Sequence, residues 1–307
     1  MSPFQRLLHA DWSLQGRKRR VAEATREGGG WRLSIPVTPG DTSIWTAALM
    51  VPDQPPTLVG FDFPIGVPAR WARRAGLERF DTLLAAMGQG RWVDFDTVAD
   101  SAADVALERP FFPRRGLVGV RRRQLVEALG LDDFDDLYRH CERTITGRRP
   151  TPLFWTLGAA QVGKAALSGW REVIAPARRA GAALWPFDGT LSTLAGGGRP
   201  VLAESWPSLA ARRLGVALKP GQSKRCQADR AAVGRALLAL DLPITFDADL
   251  AREMVAGFGP SPAREDDFDA LLGLVLMVAI VEGRMGAEPG LNDPQRLLEG
   301  WILGLET

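Results

Sequence analysis

The chain has 307 residues, 46% of them hydrophobic and 24% charged, which suffices to bury a full-sized core and excludes a disordered tail or a disulfide-stapled miniprotein. Basic and acidic residues number 38 and 36, a net charge of +2, so the molecule has no global attraction for a polyanion and any phosphate site must be a local patch. Two cysteines cannot build a disulfide framework, and a closed Cys/His zinc site would need Cys141, Cys226, His9 and His140 all to converge. From the N-terminus, Leu7 to Asp11 is a short apolar run ending in an acid, and Lys18 to Thr25 reads as a second strand. Trp31, Leu33, Ile35 and Val37 then fall at period two, the pattern of a strand with one covered face. The Gly28-Gly29-Gly30 link predicts a hairpin between the second and third strands. Asp41 is placed to cap a helix running to about Met50, and Thr57 to Asp62 reads as a further strand that again ends in a carboxylate.

From Pro64 the pattern changes to helical pieces near 69–75, 79–87, 121–129, 133–145, 156–168 and 170–180, separated by turns rich in Pro, Gly and Arg. The reading is one domain over 1–307 with a largely helical insertion at about 66–180. Strand character returns at 182–187 and 201–205, joined across Gly196-Gly197-Gly198. Helices are then expected near 207–214, 225–240, 247–256, 264–283 and 293–303, the first opened by Pro207. The start of the chain reaches Asp11 before an apolar stretch of signal-peptide length builds, and the longest apolar run, Ala270 to Val281, is shorter than the about 20 residues a bilayer demands. A cytoplasmic protein with no membrane partner is expected, and its oligomeric state stays open. The ten tryptophans are scattered without a period and are expected to serve mainly as packing.

Four places carry acids where surface charge is not the obvious explanation: Asp11, Asp62, Glu204, and the pair Asp266 and Asp269. The first three end strands, where open α/β sheets bring groups from different strands together. Asp266 and Asp269 share one face of the helix that runs into the most apolar stretch of the chain. Ionised carboxylates crowded into one cleft repel one another, and a hard divalent cation with an all-oxygen shell removes that penalty. The competing reading is that the helix acids answer the helix dipole and the strand-end acids are turn residues.

The segments HADWS (9–13), GFDFPIGVP (60–68), LAESWPS (202–208) and DDFDALLGLVLMVA (266–279), with FWTLGAAQVG (154–163) and WPFDG (185–189) between them, resemble in order and spacing the DUF429 family of predicted nucleases. Its RNase H-like fold is similar in core to resolvase-type metal nucleases. The resemblance implies an α/β fold with a mixed five-stranded sheet flanked by helices, three antiparallel strands being followed by two parallel ones. It puts Asp11 on the first strand, Asp62 on the fourth and Asp269 on the last helix as the catalytic core. These three, with Asp266 and Glu204 as auxiliary ligands, would bind Mg²⁺ or Mn²⁺. Asp62 departs from the glutamate usual in resolvases, and an aspartate reaches less far by one methylene, so a small phosphorylated ligand is an alternative to nucleic acid.

Two basic segments are candidates for substrate binding. Arg109, Arg114, Arg115, Arg121, Arg122 and Arg123 occur close together beside Phe111 and Phe112, and Lys219, Lys224, Arg225 and Arg230 follow Glu204. Arginine and lysine supply phosphate contacts and adjacent aromatics can stack bases. Arg121, Arg122, Arg123, Lys224 and Arg225 are the residues expected to hold substrate; a solvated turn and helix start is the alternative. Gly158 to Ala165 matches a phosphate loop except at Ala165, which stands where Ser or Thr should bind Mg²⁺. His9, two residues before Asp11, points to the same face of its strand. Three functions compete: a metal-dependent phosphodiesterase acting on DNA or RNA, a non-catalytic protein that keeps an acidic cleft, and an actin-like ATP-dependent phosphotransferase. The last needs a glycine-bearing turn after the first aspartate, where this chain has Trp12-Ser13-Leu14.

Overall fold

The computed structural model describes residues 4–114, 116–146, 149–157, 162–286 and 288–306. They fall into two compact units, one of Met1–Asp62, Ala177–Glu288 and Ile302–Glu306, the other of Phe63–Pro176 and Pro289–Trp301. In chain order the elements begin with β1 (Arg6–Asp11), β2 (Arg20–Glu27), β3 (Gly30–Leu33), α1 (Thr42–Leu49) and β4 (Thr57–Phe61). Asp41 caps α1, its carboxylate accepting the N–H groups of Ser43 and Ile44. The second unit follows with α2 (Ala69–Arg74), α3 (Phe80–Ala86), α4 (Arg122–Ala128), α5 (His140–Thr144) and α6 (Val162–Gly169), and a wide turn at Trp170–Ile174 leads into α7 (Ala175–Arg179). The rest is β5 (Ala183–Leu184), α8 (Leu191–Ala195), β6 (Val201–Glu204), α9 (Pro207–Arg213), α10 (Gln227–Leu238), β7 (Ile244–Phe246), α11 (Ala248–Val255) and α12 (Glu265–Val281).

The sheet of the first unit has seven strands in the order β5-β6-β4-β1-β2-β3-β7, two more than the five expected. β1, β2 and β3 are antiparallel, β4 and β6 run parallel to β1, and the additions β5 and β7 pair in parallel at the two edges. Both additions are too short to show a period. β7 has three residues, none of them buried, and holds its place by pairing Ile244 to Phe246 with Trp31 to Leu33. β5 and β6 are not a hairpin across the glycines, because a parallel pair needs a crossover, and α8 supplies it. β4 is buried at all five residues, as a central parallel strand covered on both faces should be.

α12 lies across β1, β2 and β4 with α9 beside it, and it is buried from Asp267 to Ile280, all round rather than along one stripe. Two glycines permit this approach. A Cβ on Gly60 of β4 would stand 2.7 Å from Met277 Sδ, and one on Gly273 of α12 would stand 2.1 Å from the His9 ring.

The second unit is built on aromatic packing. Trp71, Trp92, Phe95, Phe111, Phe154 and Trp170 are all buried, with ring centroids such as Trp71–Phe154 at 4.8 Å and Phe95–Phe111 at 5.6 Å. The expected helix over 133–145 is broken because Tyr138 and Arg139 are extended. The fully buried Arg139 thereby pairs with Glu142 at 3.0 Å and donates to the Glu299 carbonyl at 3.1 Å, while the Glu299 carboxylate accepts the N–H groups of Ala69 and His140, each at 2.9 Å. That network ties Pro289–Trp301 to the rest of its unit. Of the phosphate-loop reading at Gly158 to Ala165, Gly158 to Gln161 lie outside the described residues, and Val162 to Ala165 open α6. Among the described residues no helix is long and apolar enough to cross a membrane.

Candidate acidic site

Asp11 is the last residue of β1, and Asp62 follows the last residue of β4, the parallel neighbour. The register pairs His9 with Gly60 and Ala10 with Phe61, so Asp11 and Asp62 stand side by side on the sheet face that α12 covers. Asp62 is held from both directions: its amide donates to the Ala10 carbonyl at 3.3 Å, and its Oδ1 accepts the Trp12 N–H at 2.7 Å. Asp269 lies in the second turn of α12, buried, and its carboxylate accepts the Lys224 ammonium.

The electrostatics follow from this crowding. Burial first, then the charges of Asp62 and Asp269, hold the Asp11 carboxyl well above the usual carboxylate range, and a hydrogen bond between the Asp11 and Asp62 carboxyls adds to the rise. Burial raises Asp62 to about 7, against the opposing effect of the hydrogen bonds it accepts from Asp11 and the Trp12 N–H. Asp269 is also raised, by burial, with Lys224 pulling the other way. Partial burial opposes the charge on Lys224, but Asp269, Asp11 and Glu265 outweigh it and raise the lysine. Crowded, buried carboxyls thus favour their protonated forms, and the Lys224 ammonium opposes that at Asp269. Among the described residues no group of three or more His, Cys, Asp or Glu side chains stands ready to hold a metal ion.

The other expected residues are placed as follows. Asp266, one turn before Asp269, is half-buried and acts on Asp11 through its charge. Its neighbour Asp267 is buried and committed to Arg20 at 3.1 Å and Arg264 at 3.2 Å. Glu204 is not on the acidic face. The register pairs it with Phe61, so it shares the face of Phe61 and not that of Gly60 and Asp62, while the next residue, Ser205, approaches Gly60. Lys224 stands at the site. Arg225 is exposed in the same turn.

Arg121, Arg122 and Arg123 belong to the second unit and are exposed at the start of α4. Arg122 lies over the Phe134 ring at 4.6 Å and Arg123 pairs with Glu127. Arg109 and Arg114 both engage Asp100, and Phe111 and Phe112 are buried, which removes them as base-stacking surfaces. Arg115 lies outside the described residues. His9 is fully buried against α12, and burial lowers its pKa to about 3, with the Ala270 carbonyl favouring the proton only weakly. Neither of its ring nitrogens makes a hydrogen bond of normal geometry, and the Ser205 hydroxyl beside Gly60 is buried in the same condition. A recess lined by Glu27, Trp31, Arg32, Phe246 and Asp247 lies at the β3–β7 edge and contains none of the acids of the site.

Sequence reasoning missed the role of Arg230, read there as one of a basic group. It is fully buried and donates to the carbonyls of Lys224 (2.7 Å), Gly257 (2.9 Å) and Gly259 (2.7 Å). Its one signal in the sequence was its place among apolar neighbours on α10. Compared with known protein families, with curated proteins and with solved structures, the chain matches none.

Proposed function

We propose that the chain is a divalent-metal-dependent phosphodiesterase acting on nucleic acid, with an RNase H-like core of the kind that the resemblance to DUF429 nucleases implies. The observation that carries this reading is the carboxyl pair Asp11–Asp62 on adjoining parallel strand ends, with Asp269 beside it on α12. The central strand order β3-β2-β1-β4-β6 supports the fold, because it is three antiparallel strands followed by two parallel ones.

As they stand these three carboxyls, all held at raised pKa and with Asp269 already paired to the Lys224 ammonium, are not a ready cation site, and a hard cation would have to displace that pairing. Asp11, Asp62 and Asp269 would hold Mg²⁺ or Mn²⁺, with Asp266 as an auxiliary acid. When bound, such an ion polarises the phosphoryl oxygen and lowers the pKa of a water nucleophile. Exposed Arg121, Arg122 and Arg123 are candidates for phosphate contacts.

A second reading, an acidic cleft kept without catalysis, is favoured by the internal neutralisation of Asp269 by Lys224. Mn²⁺-dependent cleavage assays on single-stranded, duplex and branched substrates separate the two. The expected result is cleavage by the parent and loss of at least about 100-fold in Asp11→Asn and Asp269→Asn, each protein folded by circular dichroism. A folded parent that neither binds Mn²⁺ nor cleaves any of the three substrates would leave the non-catalytic reading standing.

A further inference from the structure

Two turns of the first unit border the acidic site, and each uses buried arginines to fix its backbone while leaving other cations in water. The turn between β1 and β2, Ser13 to Arg20, contains four consecutive basic residues and no acid. Arg19 is buried over the Trp12 ring at 4.0 Å, and its Nε donates to the Ser13 carbonyl at 2.7 Å. Arg20 donates to the Arg17 carbonyl at 2.8 Å and to Asp267, in the first turn of α12, at 3.1 Å. Arg17 and Lys18 are exposed and pair with no acid among the described residues. The turn before α10, Lys219 to Cys226, is also free of acids. Buried Arg230 donates to the Lys224 carbonyl at 2.7 Å and to the carbonyls of Gly257 and Gly259, while Arg264 donates to the Phe258 carbonyl at 2.7 Å and pairs with Asp267 at 3.2 Å. Asp267 thus joins α12 to both turns, to the first through Arg20 and to the second through Arg264 and the 257–259 loop. Lys224 reaches inward to Asp269, and Arg225 beside it is exposed and unpaired among the described residues.

The two turns meet electrostatically at the acids. Lys18 is near enough to Asp266 for its charge to oppose the rise that burial and Glu265 impose on that acid. Lys224 in turn is acted on by Asp269, Asp11 and Glu265. Burial holds Asp11, Asp62, Asp266 and Asp269 toward their protonated forms, so these acids present less negative charge than their number suggests, whereas Arg17, Lys18 and Arg225 stand in water. We infer that the two turns form a phosphate-binding rim for the acidic site, with Arg17 and Lys18 from one and Arg225 from the other gripping the backbone of a nucleic-acid strand. The inference rests on the nucleic-acid part of the reading above and requires no metal. A net charge of +2 gives no global pull on a polyanion, so a local rim is what the chain can offer. Neither the Ser13–Arg20 turn nor the Lys219–Cys226 turn contains an aromatic residue, so bases have nothing there to stack on and the contacts go to phosphate, independent of base sequence.

The test is fluorescence anisotropy of a labelled DNA single strand and a labelled duplex, each about 20 nucleotides long, titrated with the full chain across a salt series in a chelator. The variants are the double Arg17→Ala/Lys18→Ala, Arg225→Ala and, as a control for net charge, Arg199→Ala. Arg199 is exposed just before the start of β6, at the end of the parallel strands away from the acids. All four positions are exposed, and alanine keeps the Arg17 carbonyl that Arg20 uses, so each variant is expected to melt with the parent. The slope of log K against log salt is expected to be shallower by about 0.7–0.9 in Arg225→Ala, by about 1.4–1.8 in the double variant, and unchanged in Arg199→Ala. A salt-dependent slope that the double variant leaves as it is in the parent, or that Arg199→Ala lowers as much, overturns the rim and leaves the nucleic-acid reading intact. A folded parent with no salt-dependent binding to either probe overturns that reading itself.

Discussion

Replacing Asp62 by asparagine changes how the stability of the metal-free protein depends on pH. In the parent, the folded state holds the Asp62 carboxyl at about 7 against an ordinary 3.8, so between those values the folded chain keeps a proton that the unfolded chain has released. Stability from this group is fully present below about pH 4, falls as pH rises, and is gone above about pH 7. The interval corresponds to about 4 kcal/mol in all, of which about 2–3 kcal/mol falls between pH 5 and pH 8. His9 acts in the opposite sense, since burial lowers it to about 3 and folding there gains as pH rises toward 6.5. That contribution is common to parent and variant and cancels in their difference. Asparagine keeps an acceptor for the Trp12 N–H and removes the charge. Asp62→Asn is therefore expected to gain about 2–3 kcal/mol on the parent between pH 5 and pH 8, measured by urea denaturation in a chelator. A stability difference that stays constant over that range would refute the reasoning. Adding Mn²⁺ at pH 8 is expected to raise the parent's midpoint and not the variant's, because a ligand that binds only the ionised folded site stabilises it by mass action.

Gly273→Ala places a methyl 2.1 Å from the fully buried His9 ring and is expected to cost more than about 2 kcal/mol by urea denaturation; a neutral result would show that α12 shifts freely on the sheet. Replacing exposed Arg121, Arg122 and Arg123 by alanine is expected to leave the melting temperature unchanged and to shallow the slope of log K against log salt for nucleic-acid binding, read by fluorescence anisotropy, by about 0.7–0.9 for each phosphate no longer neutralised; an unchanged slope removes them from the binding surface.

Much of the architecture was legible in local pattern. The period-two alternation at Trp31 and Leu33, the capping acid Asp41, the apolar run of β4 and the long hydrophobic stretch of α12 each belong to a strong signal carried by neighbours in sequence, and the structure has an element at each. The edge strands were not legible. β5 and β7 have two and three residues, and what makes them strands is the partner beside them, which no local pattern records.

The site divides in the same way. That Asp11, Asp62 and Glu204 end strands could be read along the chain, because an acid after an apolar run marks where a strand leaves the core. Which face each acid takes could not, since one step of register moves a side chain through the sheet: pairing Glu204 with Phe61 sets it on the face opposite Asp62. The sequence alone determined the residue types, the strand ends and the buried helix. Only the tertiary structure decided that Asp11 would stand beside Asp62, that Lys224 would meet Asp269, and that Arg230 would join the Lys224 carbonyl to the loop at Gly257 and Gly259, because each of these depends on distances between segments apart in the chain.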